Sequence, residues 1–398
     1  MTWFPTTTKC TPMPGRPPGA TKDRVSNPRR HEYIDALRGL AIVGVLAVHT
    51  AQTVPPANNL LRYTMLTGLR GVQLFYIASA LTLCMSWTAR QQHEFTPIRN
   101  FLLRRFFRIA PLFLVAIPVY LLIYGFGPRY WAPNGVKDWF IPATALLLHG
   151  FHPETINGIV PGSWSIAVEV TFYALFPIVI GSARTIRGLV SLLMVSAITY
   201  LLNCVFLAPA IAGFYPPEQR YLADAFANFN FLGQFPVFVF GMLLFHIMAS
   251  EPSIRFVKFI VCAAAVMYLG TIAILPGEYA HAFVTNPIVA APGLAILSGL
   301  LGMYPTRLLV NPLTTTLGKY SYGLYLCHWV VIEAFRHIGL VRCLDRGDAA
   351  SMFFFIATLA AATAVAAMLY FGIEQPCIRI GNVLIRRIEP GISSRAAG

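Results

Sequence analysis

Charge is what this sequence has least of. Only 12% of its 398 residues are Asp, Glu, Lys or Arg, about half the share found in a water-soluble domain. With 56% hydrophobic residues and a mean hydropathy of +0.62, that excludes an ordinary soluble globular chain. Acidic residues are the scarcer sign, 16 against 30 Lys and Arg, which gives a formal net charge of +14. The basic residues are spread over many short polar stretches and form no stripe, so no nucleic-acid partner is expected. Cysteine is sparse as well. The seven thiols are odd in number and scattered, mostly inside apolar runs, and neither metal spacing nor a disulfide framework emerges. No metal is expected. Also missing is an apolar run directly behind a short basic start, the mark of a cleaved secretion signal. The first apolar run begins only near Tyr33 and is long enough to stay in a membrane.

What the chain has in abundance is long apolar runs. Crossing a bilayer takes about 20 mostly apolar residues. Such runs fall at roughly 33–53, 68–87, 106–125, 159–180, 186–207, 229–249, 256–275, 283–303, 318–338 and 351–373. The pattern predicts an all-α polytopic membrane bundle of about ten transmembrane helices. A run at 139–151 is too short to cross and reads as a re-entrant or interfacial piece. Residues 1–32 are polar and rich in Pro, Thr and Arg, which predicts a disordered cytoplasmic tail. The membrane domain spans 33–376, and Glu374-Gln375-Pro376 reads as a helix stop before a cytoplasmic tail at 377–398. With the N-terminus inside, twenty-two of the 30 Lys and Arg fall on the cytoplasmic side. That asymmetry follows the positive-inside rule and predicts an inner-membrane protein with both termini cytoplasmic.

A charged group inside a bilayer costs several kcal/mol, so those present are functional candidates. In the first span Arg38 and His49 stand eleven residues apart. At 100° per residue they differ by about 20° around the helix and by roughly 16 Å along it. Arg38 then lies near one surface and His49 deep in the membrane, on one stripe with Asp35. The simpler alternative is an Asp35–Arg38 interfacial pair and a His49 that only bonds a neighbouring span. Arg105 and Arg108 are helical neighbours whose guanidiniums could clamp a phosphate, or could merely anchor the helix. Ser165 and Glu169, at i and i+4, can face one cavity, or Glu169 can pair with an Arg of another span. Ser321, Tyr325 and His328 recur on one helical face, either as a site or as bonds between helices.

Taken in order, these stretches resemble acyltransferase family three, multispanning enzymes that O-acylate envelope glycans, lipid-linked sugars and some small molecules. The likeness runs through Tyr33-Ile34-Asp35-Ala36-Leu37-Arg38-Gly39-Leu40 with His49, through Gly71-Val72-Gln73-Leu74-Phe75-Tyr76 with Ser79, and through Arg105 with Arg108. It continues in Ser163-Trp164-Ser165 to Glu169 and Tyr173, and in Tyr320-Ser321-Tyr322-Gly323-Leu324-Tyr325-Leu326-Cys327-His328-Trp329. The chain departs from the family pattern at Gln73, where members usually carry Asp, at Ala80, and at Val170 and Thr171. It shows no counterpart of the SGNH-type hydrolase domain that some members add.

The resemblance implies a transferase using acetyl-CoA, or another acyl-CoA, as donor and a hydroxyl-bearing glycan, glycolipid or small molecule as acceptor. On that reading Arg38, Arg105 and Arg108 hold the CoA phosphates. His49 is the general base, acting on the acceptor hydroxyl or on a relay nucleophile, and Glu169 or His328 assists on the acceptor side. Asp35, Ser165 and Tyr325 orient their neighbours. Arg38 and His49 should then line one continuous passage. The competing class is a proton-coupled secondary transporter, which would also place His, Arg and Glu in mid-membrane. The internal repeat expected of a transporter is not seen.

Overall fold

The computed structural model describes residues 29–249, 286–344 and 347–389. The described residues are helical throughout apart from loops, with one isolated bridge between Arg129 and Ala132. The chain-order helices that matter here are α1 (Arg29–Thr53), α2 (Asn59–Thr67), α3 (Gly71–Arg90), α4 (Pro97–Tyr124), α5 (Trp164–Ser182), α6 (Ile186–Leu202) and α7 (Phe231–Ala249). They are followed by α8 (Pro287–Met303), α9 (Pro312–Lys319), α10 (Ser321–His337), α11 (Asp348–Leu369) and α12 (Gln375–Ile388).

Among the described residues, seven helices are long and apolar enough to cross a membrane. Of the other three expected spans, α8 is a shorter apolar helix and α10 has only 17 residues, carrying Glu333 and Arg336. The run at 256–275 lies outside the described residues. The second span begins earlier than its hydropathy suggests, because α2 and a short 3-10 turn at Gly68–Arg70 lead directly into α3. The stretch at 139–151 forms only a six-residue helix and a 3-10 turn, too little to cross. Proline inside α4, α5, α7 and α8 is compatible with membrane helices, whose neighbours can satisfy the freed carbonyls.

The predicted stop at Glu374-Gln375-Pro376 is not one. The helix runs on from Asp348 to Ile388, with a π turn at Tyr370–Glu374 just before Pro376. Such a local π adjustment lets a helix accommodate the hydrogen bond that proline cannot make. Residues 377–388 are therefore helix, not tail. The helix is pinned to α4 where Gly381 meets the Phe107 ring, and Glu389 beyond it accepts bonds from Thr96 and Asn100.

Side-chain bonds between helices set the depth of each element. From one end of the bundle to the other, α1 meets α3 through Arg38 and Thr82, α3 meets α5 through Ser79 and Glu169, α5 meets α10 through Ser165 and Tyr325, and α1 meets α10 through His49 and His328. The start of α1 is fixed by α9. A Cβ on Gly39 would overlap the Thr314 carbonyl, and one on Gly318 would overlap the Asp35 carbonyl. Only paired glycines let these backbones touch, and the contact holds Asp35 and Arg38 in place.

Candidate active site

Two cavities adjoin at the centre of the bundle. The smaller, about 70 Å³, is lined by Arg38, Ser79, Arg108, Ser165, Glu169, Tyr173 and Tyr325 among others. The larger, about 870 Å³, is lined by His49, Gln52, Gln73, Asn157, Gln234 and several aromatic rings. Val72 and Tyr325 belong to both walls. Arg38 and His49 thus share a helix but open into two chambers, not one passage. The reason is local. Gly162, held at φ +79, turns its carbonyl toward the Tyr325 hydroxyl at 2.9 Å, and Ser165 Oγ holds the same hydroxyl at 2.8 Å. These bonds pin the Tyr325 ring across the junction.

In the smaller cavity, Arg38 donates to Thr82 Oγ1 at 3.0 Å and pairs with Asp35 at 3.7 Å. Glu169 Oε1 accepts from Ser79 Oγ at 2.7 Å and from the Tyr173 hydroxyl. Glu169 therefore shares a cavity wall with Arg38 and Arg108 and not the wall that His49 lines. The i,i+4 relation with Ser165 does put both on this cavity wall, but four residues of rise carry Glu169 away from the Tyr325 junction. The Arg105 guanidinium lies over the Phe101 and Tyr173 rings at 5.7 and 5.5 Å. Arg108 alone of that pair reaches the wall.

In the larger cavity, His49 Nδ1 lies 2.8 Å from His328 Nε2, and His328 Nδ1 lies 3.2 Å from the Leu324 carbonyl. A carbonyl can only accept, so His328 carries its proton on Nδ1 and its Nε2 must accept. His49 then donates from Nδ1, and its Nε2 is left with the lone pair. The network, not an observed hydrogen, assigns these tautomers. The two imidazoles lie end to end and nearly coplanar, centroids 5.0 Å apart and planes 7° from parallel, and Trp329 lies 4.6 Å from the His49 ring. His328 is wholly buried.

Sequence reading missed a second chain in this cavity. Gln234 Nε2 donates to the Asn228 carbonyl at 2.6 Å, and Gln73 Nε2 donates to Gln234 Oε1 at 3.0 Å. Gln73 Oε1 is buried with no partner, a vacancy that costs about 1–3 kcal/mol unless something fills it. The signal was a glutamine inside each of two apolar runs. Among the described residues, no carboxylate lines this cavity, and no cluster of His, Cys, Asp and Glu suits a metal ion.

The sequence profile of the acyltransferase domain matches residues 31–371. The acyltransferase MdmB of Streptomyces mycarofaciens is 26% identical over 375 residues, covering 87% of this chain and 91% of its own. No solved structure matches. These likenesses take the enzyme side of the two classes weighed from sequence: the chain belongs to acyltransferase family three and is a multispanning membrane transferase.

Proposed function

We propose that the protein is a membrane O-acyltransferase that moves an acyl group, acetyl in the first instance, from acyl-CoA at the cytoplasmic face to a hydroxyl held in the larger cavity. The hydroxyl belongs to a glycan, a lipid-linked sugar or a small molecule. The membrane is the inner membrane, with both termini cytoplasmic, as the distribution of Lys and Arg argues.

One observation carries this reading: the bond chain from Leu324 through His328 leaves His49 Nε2 as a free base facing the larger cavity. A positioned neutral imidazole is suited to accept a hydroxyl proton. Arg38 and Arg108 on the other wall, with Arg105 behind them, supply cations for the CoA phosphates. A cavity of about 70 Å³ admits only the narrow acyl end, so the nucleotide stays outside it. Glu169 then holds Ser79 and Tyr173 rather than the acceptor.

The step follows from these positions. His49 Nε2 takes the acceptor's proton as its oxygen attacks the thioester carbonyl. An ester C–O bond forms and the C–S bond breaks. The imidazolium returns the proton to the leaving CoA thiolate, so the enzyme ends as it began. The reacting groups meet where the cavities adjoin, which requires the Tyr325 ring to give way. Neither His49 nor Arg38 can be spared in this scheme. Transfer from labelled acetyl-CoA by folded, purified His49→Ala or Arg38→Ala at the wild-type rate would refute it.

A further inference from the structure

The wall of the larger cavity carries a hydrogen-bond acceptor whose direction is fixed by a backbone carbonyl two links away. The Asn228 carbonyl can only accept, so Gln234 turns Nε2 toward it and Oε1 away. Gln73 must answer that oxygen with its own Nε2. Neither amide can be flipped without setting oxygen against oxygen. What remains is Gln73 Oε1, buried and with no partner, in a side chain that is only 3% exposed and belongs to the residues lining the cavity. A buried lone acceptor of this kind calls for a donor from whatever occupies the space.

The rest of the wall describes that occupant. Trp131, Trp164 and Trp329 line the cavity with flat apolar surfaces. Asn157 and Gln52 join Gln73 among its neutral polar groups. Aromatic faces with a few placed amides suit a ring with an apolar C–H face and an edge of hydroxyls. The volume of about 870 Å³ lies within the range of a small-molecule site.

We propose that Gln73 is a specificity-determining residue: its Oε1 accepts a hydrogen bond from one hydroxyl of a sugar-like ring bound between the tryptophans beside His49. This rests on the assignment of the larger cavity to the acceptor. Gln234 is the positioning residue that aims the Gln73 oxygen. A site built around a hydroxyl discriminates strongly against the ligand that lacks it, because its own polar group is then left unpaired.

The test reads binding without donor or turnover. The full chain is placed in lipid nanodiscs, free of glycoside detergents, and its tryptophan emission is followed as methyl glycosides of common hexoses and 6-deoxyhexoses are added. Three of the six tryptophans line the cavity. At least one methyl glycoside should give a saturable change, weakened about tenfold or more in Gln73→Leu, the loss of roughly one buried hydrogen bond. On the wild-type protein, one monodeoxy analogue of that glycoside should lose the same factor, and it should bind wild type and Gln73→Leu equally. Absence of any saturable glycoside, or monodeoxy analogues that all bind like their parent, overturns the proposal even if the variant fails to fold. So does a folded Gln73→Leu that binds like wild type. Consumption of labelled acetyl-CoA is measured separately, so loss of sugar recognition and loss of the acyl-transfer reading are told apart.

Discussion

His49 and His328 are joined by a 2.8 Å bond across 279 positions of the chain, with their rings nearly coplanar, 7° from parallel. The pair is directional. The Leu324 carbonyl fixes the proton on His328, and His328 in turn fixes the proton on His49. The outer nitrogen of His49 keeps its lone pair because the Leu324 carbonyl leaves His328 one tautomer and His328 leaves His49 one. Partners that set an imidazole's tautomer in this way count for nearly as much as the imidazole itself.

His328→Ala should therefore cost activity without touching substrate. The expected fall in kcat is about 10²-fold or more, within the range that general-base positioning supplies, with the acceptor KM little changed. His328→Gln offers an amide oxygen to His49 Nδ1 and should recover part of the loss. Steady-state kinetics on both variants decide it; equal rates for the two would mean that His328 only fills space.

Tyr325 separates the chambers, and its hydroxyl is held by Ser165 and Gly162. Tyr325→Phe keeps the ring but releases it. Losing these bonds should lower stability by about 1 kcal/mol. The larger consequence is chemical. A loosened wall lets water from the larger cavity reach the donor thioester, so acceptor-independent release of free CoA should rise several-fold. The same rate of release in wild type and variant would show that Tyr325 is not the barrier.

The contact between α1 and α9 is backbone on backbone. Gly318→Ala would drive a methyl group into the Asp35 carbonyl, and that backbone has no soft side chain to yield. Overpacking of this kind costs about 1–3 kcal/mol. The melting temperature should fall, and donor KM should rise as Arg38 is displaced from Thr82. An unchanged melt would mean that α9 can slide without penalty.

Charge was the part of the site most legible in the sequence. Arg38, Arg108, Glu169 and His49 stand out because each breaks an apolar run. Spacing within one helix does not say which neighbour that face meets. Hence it does not show that Glu169 shares a cavity with Arg38 and Arg108 and not with His49, or that the Arg105 guanidinium lies over two rings. Gln73 was noticed only as a departure from a pattern, and its partner Gln234 not at all, since neutral amides leave the hydropathy trace almost undisturbed. The fold was legible for the same reason as the charges: apolar runs of bilayer length have few alternatives to helix. The run beyond Glu374 stays helical because a π turn at Tyr370–Glu374 accommodates Pro376 inside the helix, an adjustment that hydropathy does not reveal.

One buried histidine outside the spans makes the fold sensitive to acid. His149, in the loop before α5, stacks on Phe113 at 5.2 Å and donates Nε2–H to the Ser163 carbonyl at 3.1 Å. Burial pushes its pKa down from 6.5 to about 4, against a smaller opposing pull from that carbonyl. The folded state therefore binds a proton less readily than the unfolded chain does. Stability from this group is intact above pH 6.5, declines as pH falls from there, and levels off below about 4. The loss is on the order of 3 kcal/mol for a difference of that size. His149→Gln can keep the bond to Ser163 through its Nε2 and cannot titrate. It should melt lower than wild type at pH 8, where the stacking is lost for no gain, and the gap should narrow or reverse by pH 5. Parallel melting curves for the two proteins across that range would show that His149 gains its proton as easily folded as unfolded.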